Sequence, residues 1–225
     1  MNNLLDLIVA SFIIVTNVFL GPKYYVKENY EDRKSEVTVK SVKGDSDLKK
    51  ITFILHKEKV KNVRNTASRR NEKYKQMLGR LKWKTLPVSY GVNSEEYFSY
   101  IHNTSQEWND KLSANIFAQP ECITSGSLIR DGYNTFSWQS LSSFFGRDVI
   151  SVTRIIYNTR QKTVVEFDVA FNSDMNWSVN PKSDNDVNKV ASDAFKNVIS
   201  LIDLKNNEIP ESKMYGYLNQ GVINK

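Results

Sequence analysis

Along residues 184–204 the apolar positions Val187, Val190, Ala191, Ala194, Phe195, Val198, Ile199 and Ile202 return every three or four residues. That period predicts an amphipathic helix with one core-facing stripe. Asp184 or Asp186 is placed to cap it, because a short carboxylate accepts from an orphan backbone N–H and complements the positive helix end. Residues 95–111 predict a second helix, with Ile101 and Trp108 on one side and Ser94 as its cap. Elsewhere the period falls to two. Residues 149–157 and 164–171 are β-branched runs separated by Asn158-Thr159-Arg160-Gln161-Lys162, the spacing of a hairpin. Alternation in the second run predicts Val165, Phe167, Val169 and Phe171 on one face and Val164, Glu166, Asp168 and Ala170 on the other. Residues 35–42 and 51–56 predict another hairpin around turn material at 43–47. Residues 88–92 predict a strand, and Ile116-Phe117 and Leu128-Ile129 short ones, separated by a loop around 120–126. Asp131-Gly132 is a turn signal. Helical and strand patterns thus alternate as in an α+β mixed sheet backed by helices.

Composition adds limits. A chain of 225 residues with 40% apolar and 12% aromatic content supports one core, hence one domain with an appendage. A formal charge of +6 fits attraction to anionic surfaces and says nothing about fold. The basic residues concentrate at 57–84, a stretch able to neutralise phosphates or anionic lipid. Only Tyr74 and Trp83 offer stacking surfaces there, so sequence-specific nucleic-acid binding is not expected and a solvated linker is. Residues 7–20 form an apolar run of signal-peptide length, which predicts export or an uncleaved anchor holding the chain on the outer side of a membrane. The chain therefore divides into 1–22, a signal peptide or anchor; 23–80, a β-hairpin segment and basic linker; and 81–225, the main domain. Cys122 is the sole cysteine, so no intramolecular disulfide forms, and it reads as a partly buried structural thiol. Nothing in the pattern specifies an oligomeric state.

The frame of Asp193-Ala194-Phe195-Lys196-Asn197-Val198-Ile199-Ser200-Leu201-Ile202-Asp203 resembles the active-site helix of matrixin-type metzincin metalloproteases, H-E-x-x-H-x-x-G-x-x-H followed by a Met-turn. Five further segments resemble that domain in order, residues 95–112 among them as its first long helix. Trp83-Lys84-Thr85-Leu86-Pro87-Val88-Ser89-Tyr90 resembles its opening strand, and Asp131-Gly132-Tyr133-Asn134-Thr135-Phe136-Ser137-Trp138 its DGxNxxxW turn and strand. Residues 164–172 with Trp177 resemble the strand before the active-site helix, and Ser212-Lys213-Met214-Tyr215 the Met-turn. The resemblance implies a zincin-like twisted mixed sheet with a crossing helix and an active-site helix. It places Asp193, Asn197 and Asp203 at the zinc-ligand positions, Ala194 at the general-base position and Ser200 at the turning glycine. It also puts Met214 in the Met-turn, and Asp168 and Tyr215 along the cleft.

Those substitutions change the expected chemistry. Zinc proteolysis needs imidazole-type ligands with an open position for water, and a carboxylate to take that water's proton. Asp, Asn and Asp are hard oxygen donors that suit calcium or magnesium, weakly when only three are present. Ala194 moves no proton. The expectation is a catalytically inactive pseudoprotease without a cofactor, holding a protein or peptide in the former substrate cleft by strand addition. Two other readings are an active endopeptidase using atypical ligands or groups such as Asp168, Glu166 or His102, and a polyanion- or envelope-binding module working through 57–84.

Overall fold

The computed structural model describes residues 35–57, 77, 79–183 and 185–203. Residues 7–20, most of the basic stretch, Asp184, Met214 and Tyr215 therefore lie outside the described residues. Among the described residues, no helix is long and apolar enough to cross a membrane.

Among the described residues the fold is α+β, built on one mixed sheet of seven strands. In chain order the elements are β1 (Ser35–Val42), β2 (Asp45–His56), β3 (Gly91–Val92), α1 (Phe98–Leu112), β4 (Glu121–Cys122), β5 (Thr135–Gln139), α2 (Ser142–Phe145), β6 (Val149–Asn158), β7 (Thr163–Asn172) and α3 (Val187–Ser200). Across the sheet the order is β1-β2-β6-β7-β5-β3-β4. The half from β1 to β7 is antiparallel, and β7, β5, β3 and β4 run parallel. The hairpin β1–β2 is part of this sheet, because β2 pairs with β6 along nearly its whole length.

Residues directly opposed on neighbouring strands share a face, so the register sorts the chemistry. One face carries Val37, Phe53, Val169, Phe136 and Val92 in one row and Val39, Ile51, Ile155 and Phe167 in the next. Against it pack α1 and α3. All the apolar positions of α3 from Val187 to Ile199 are buried, and Trp108 on α1 donates through Nε1 to Ser192 Oγ on α3 at 3.2 Å. Asp186 is the N-cap of α3, its carboxylate accepting from the Asn188 N–H at 2.9 Å. Helix α1 begins at Phe98, later than predicted, since Ser94 accepts from Tyr97 N–H and organises a turn ahead of the helix.

The second face is polar at its centre. It carries Thr38, Thr52, Arg154, Asp168 and Thr135 in one row and Lys40, Lys50, Ile156 and Glu166 in the next. The alternation predicted for β7 fails at one point. The β6–β7 register passes from Ile156↔Glu166 to Tyr157↔Val164, so Val165 is a bulge residue. Val164 therefore joins Phe167 in the helix-side core at 2% exposure, while Val165 is 39% exposed.

A strap, residues 123–134, crosses the second face between β4 and β5. Ile123 lies on Gly91, where an added Cβ would come within 2.7 Å of its Cδ1. Gly126 passes so close to β5 that a Cβ there would be 3.1 Å from the Ser137 Cβ. Leu128 joins Leu141, Val149, Val152 and Ala170 in a second, smaller apolar cluster, and Arg130 reaches Asp45 at 3.9 Å. Leu128-Ile129 is thus strap rather than strand, and Phe117 contributes only a bridge to Val88.

Candidate functional site

A cleft of about 940 Å³ opens where the segment leading into β3 faces both ends of the strap. One wall is residues 83–91 and the other residues 121–125 and 131–135, with Val164 and Val165 at the base. The turn Asp131–Asn134 builds much of it. Asp131 accepts from Tyr133 N–H at 2.9 Å, and Gly132 takes φ 85°, a left-handed conformation that glycine adopts without a Cβ clash. Asn134 then ties three segments together: its Nδ2 donates to Ser89 O at 2.8 Å, its Oδ1 accepts from Phe167 N–H at 2.8 Å, and its carbonyl accepts from Gly91 N–H. Two large side chains left exposed by this arrangement, Tyr133 at 73% and Val165 at 39%, line the cleft.

Among the described residues, strand β4 supplies the cleft with a sheet edge. Glu121 N–H donates to Tyr90 O and Ile123 N–H to Val92 O. By the alternation of a ladder, the peptide groups of Cys122 point away from β3, along the open edge. Cys122 itself is exposed. This corrects the expectation of a partly buried thiol; among the described residues its strand is the last in the sheet.

Directly beneath the strap sits a buried acid pair. Glu166 and Asp168 are 0% and 1% exposed, on the polar face of β7. Gly132 N–H donates to Glu166 Oε2, and Thr135 Oγ1 donates to Asp168 Oδ1 at 2.9 Å. Burial pushes the Asp168 carboxyl up to about 8, with the neighbouring Glu166 and Asp131 charges adding to the rise and Thr135 and Arg154 opposing it. Glu166 is raised in the same direction and mainly by burial, and a hydrogen bond from the Asp168 carboxyl favours its charged form. Glu166 Oε1 and Asp168 Oδ2 are buried without a hydrogen-bond partner among the described residues, which favours the protonated form of the pair. Arg154 stands opposite Asp168 on β6, and burial lowers its pKa despite the attraction of Asp168 and then Glu166. The pair is not part of the cleft wall: contrary to the place that the resemblance gives it, Asp168 does not line the cleft.

The positions given by the resemblance lie on the other side of the sheet. Asp193 and Asn197 are half-buried on the flank of α3, one turn apart. Ala194 is 2% exposed and packed in the helix-side core. Asp203 follows the end of α3, where its N–H donates to Leu81 O and Ile202 bridges Leu81. None of the three ligand positions lines the cleft. His102 belongs to α1, with the sheet between it and the acid pair, and among the described residues no three His, Cys, Asp or Glu side chains group as for a metal. The sequence reading missed Tyr133, Val165, Cys122 and Arg154. Tyr133 next to the Asp131-Gly132 turn was the one legible signal, because a residue at a turn tip is exposed. No family, curated protein or solved structure with which the chain was compared matches it.

Proposed function

We infer that the chain is an exported matrixin-like scaffold of the metzincin type that does not hydrolyse peptide bonds and instead binds an extended peptide. The observation that carries the binding part is the cleft itself, bordered by β4, the edge strand among the described residues, and lined by the exposed Tyr133 and Val165. An extended peptide adds to such an edge through main-chain hydrogen bonds, while alternate side chains find apolar pockets. Two features support the scaffold part. Of the segments carrying the resemblance, residues 95–112 hold α1, residues 131–138 form a turn leading into β5, residues 164–172 lie in β7 and residues 193–200 in α3, whereas residues 83–90 precede β3 without forming a strand. Helix α3 stops at Ser200, where the family's frame has its turning glycine. Absence of hydrolysis rests on residue chemistry, since Ala194 holds no proton and Asp193, Asn197 and Asp203 offer no imidazole. Export, or anchorage on the outer side of a membrane, rests on the apolar run at 7–20.

The single thiol makes the binding reading testable, because Cys122 lies on the edge where the peptide adds. An octapeptide of alternating valine and threonine is expected to slow the reaction of Cys122 with a disulfide reagent severalfold and saturably, and Tyr133→Ser is expected to weaken that protection. Unchanged thiol reactivity at saturating peptide would overturn the binding reading. Stoichiometric zinc in the purified protein, with chelator-sensitive cleavage of unfolded casein, would overturn the inactive one.

A further inference from the structure

Away from the cleft, the β1–β2–β6 part of the sheet's second face gathers Lys40, Lys50 and Arg154, and among the described residues neither lysine has an acidic partner. Lys40 on β1 and Lys50 on β2 are directly opposed in register. Like charges at opposed positions repel, and Lys50 shows it: its pKa is lowered by burial, then by Arg154, then by Lys40. Neither lysine makes an ion pair among the described residues. Both acids of β2 are already engaged elsewhere, Asp45 with Arg130 at 3.9 Å and Asp47 with Arg160 at 3.0 Å. Glu36, the acid of β1, lies two rows away opposite Ile54.

Arg154 completes the cluster. It is opposite Thr52, one row from Lys50 on the adjacent strand, and its half-buried side chain leaves Nε without a hydrogen-bond partner among the described residues. Opposed side chains start about 5 Å apart and diagonal ones about 7 to 8 Å apart. Lysine and arginine stems are long enough to span that distance, and Lys50 feels the charges of both Arg154 and Lys40. Thr38 and Thr52, opposed on the same face, bring hydroxyl donors to the cluster. Asp168 and then Glu166 attract Arg154 from the neighbouring strand and offset part of its charge, leaving the two lysines without such a partner among the described residues.

We propose that Lys40, Lys50 and Arg154, with the hydroxyls of Thr38 and Thr52, form an anion site for a phosphate group on the face of the β1–β2–β6 sheet. A dianionic tetrahedral oxyanion relieves the repulsion between the lysines. Charge-assisted bonds to such an anion are the strong ones, and a guanidinium fork matches a phosphate edge.

The test is thermal unfolding of the full chain in inorganic phosphate against sodium chloride at matched ionic strength. Phosphate is expected to raise the Tm saturably, and chloride is not. Lys40→Gln/Lys50→Gln is expected to bind phosphate about tenfold more weakly or worse, as the loss of charged hydrogen bonds requires. In chloride the same variant is expected to melt no lower than the wild type, because the repulsion has gone. Lys40→Arg/Lys50→Arg is expected to restore the phosphate response. Chloride reproducing the shift, or the glutamine variant keeping it undiminished, would overturn the proposal. O-Phosphoserine distinguishes the sources: equal effect from it assigns an esterified phosphate, and an effect of inorganic phosphate alone assigns the free ion.

Discussion

Phe195→Ala is expected to cost about 3–5 kcal/mol of folding stability, which is the range for emptying a fully buried aromatic position. Phe195 is 0% exposed and is the side chain by which α3 enters the sheet core. Its ring lies 4.6 Å from that of Phe117, 4.9 Å from Phe136 and 5.8 Å from Tyr90 by centroid. Phe136 and Phe117 each reach Phe167 as well, at 5.9 and 6.4 Å, so removing the ring opens the middle of a connected aromatic cluster. A domain of this size is stable by roughly 5–15 kcal/mol. The variant is therefore expected to lose much of its margin in urea unfolding, with an unchanged slope if it remains folded in water. A loss below about 0.5 kcal/mol, the level of a surface substitution, would mean that α3 is not seated on the sheet as described.

The second large effect concerns the buried carboxyls. Asp168 has a folded pKa of about 8 against an ordinary 3.8, so between those values the folded chain binds more protons than the unfolded chain. Stability is then fully present below the ordinary value and falls as pH rises, at up to about 1.4 kcal/mol per pH unit, levelling off above the folded value. Glu166, raised in the same direction, steepens the fall. Asp168→Asn mimics the protonated carboxyl: its Oδ1 still accepts from Thr135 and its Nδ2 still donates toward Glu166. Urea midpoints measured from pH 4 to pH 9 are expected to fall steadily for the wild type and far less for the variant, which becomes the more stable protein at the alkaline end. Parallel profiles would show that Asp168 ionises normally and that the strap does not seal it from water.

Local features of this fold were legible and lateral ones were not. The stripe on α3 was readable because helix period and core burial are set by residues close in sequence, and the β6–β7 hairpin because its runs and connector are contiguous. The bulge at Val165 left no mark in the run of valines, so Val164 and Val165 exchange the faces that alternation gives them. Strand β2 starts earlier than its apolar run because Lys49 and Lys50 pair with both β1 and β6. Strand β4 has too few residues for any period. The candidate site was less legible for the same reason. The DGYN turn announced itself, but the acid pair with Arg154 exists only through registers between strands far apart in sequence, and the strap that buries it reads as loop. The residues that carry the family resemblance serve as structural ties: Asn172 accepts from Leu141 N–H and donates to Val149 O, and Trp138 stacks on Phe171 at 4.4 Å.

Whether that resemblance describes the backbone is decided most directly by installing histidines at the three ligand positions and measuring zinc. Asp193→His/Asn197→His/Asp203→His leaves Ala194 untouched, since a carboxylate there would enter the packed core. A metzincin-type backbone predicts that the folded variant takes up one zinc tightly while the parent chain takes up none. A variant that folds like the parent yet binds zinc no better would contradict the account, because the scaffold would then lack the geometry for which it is named.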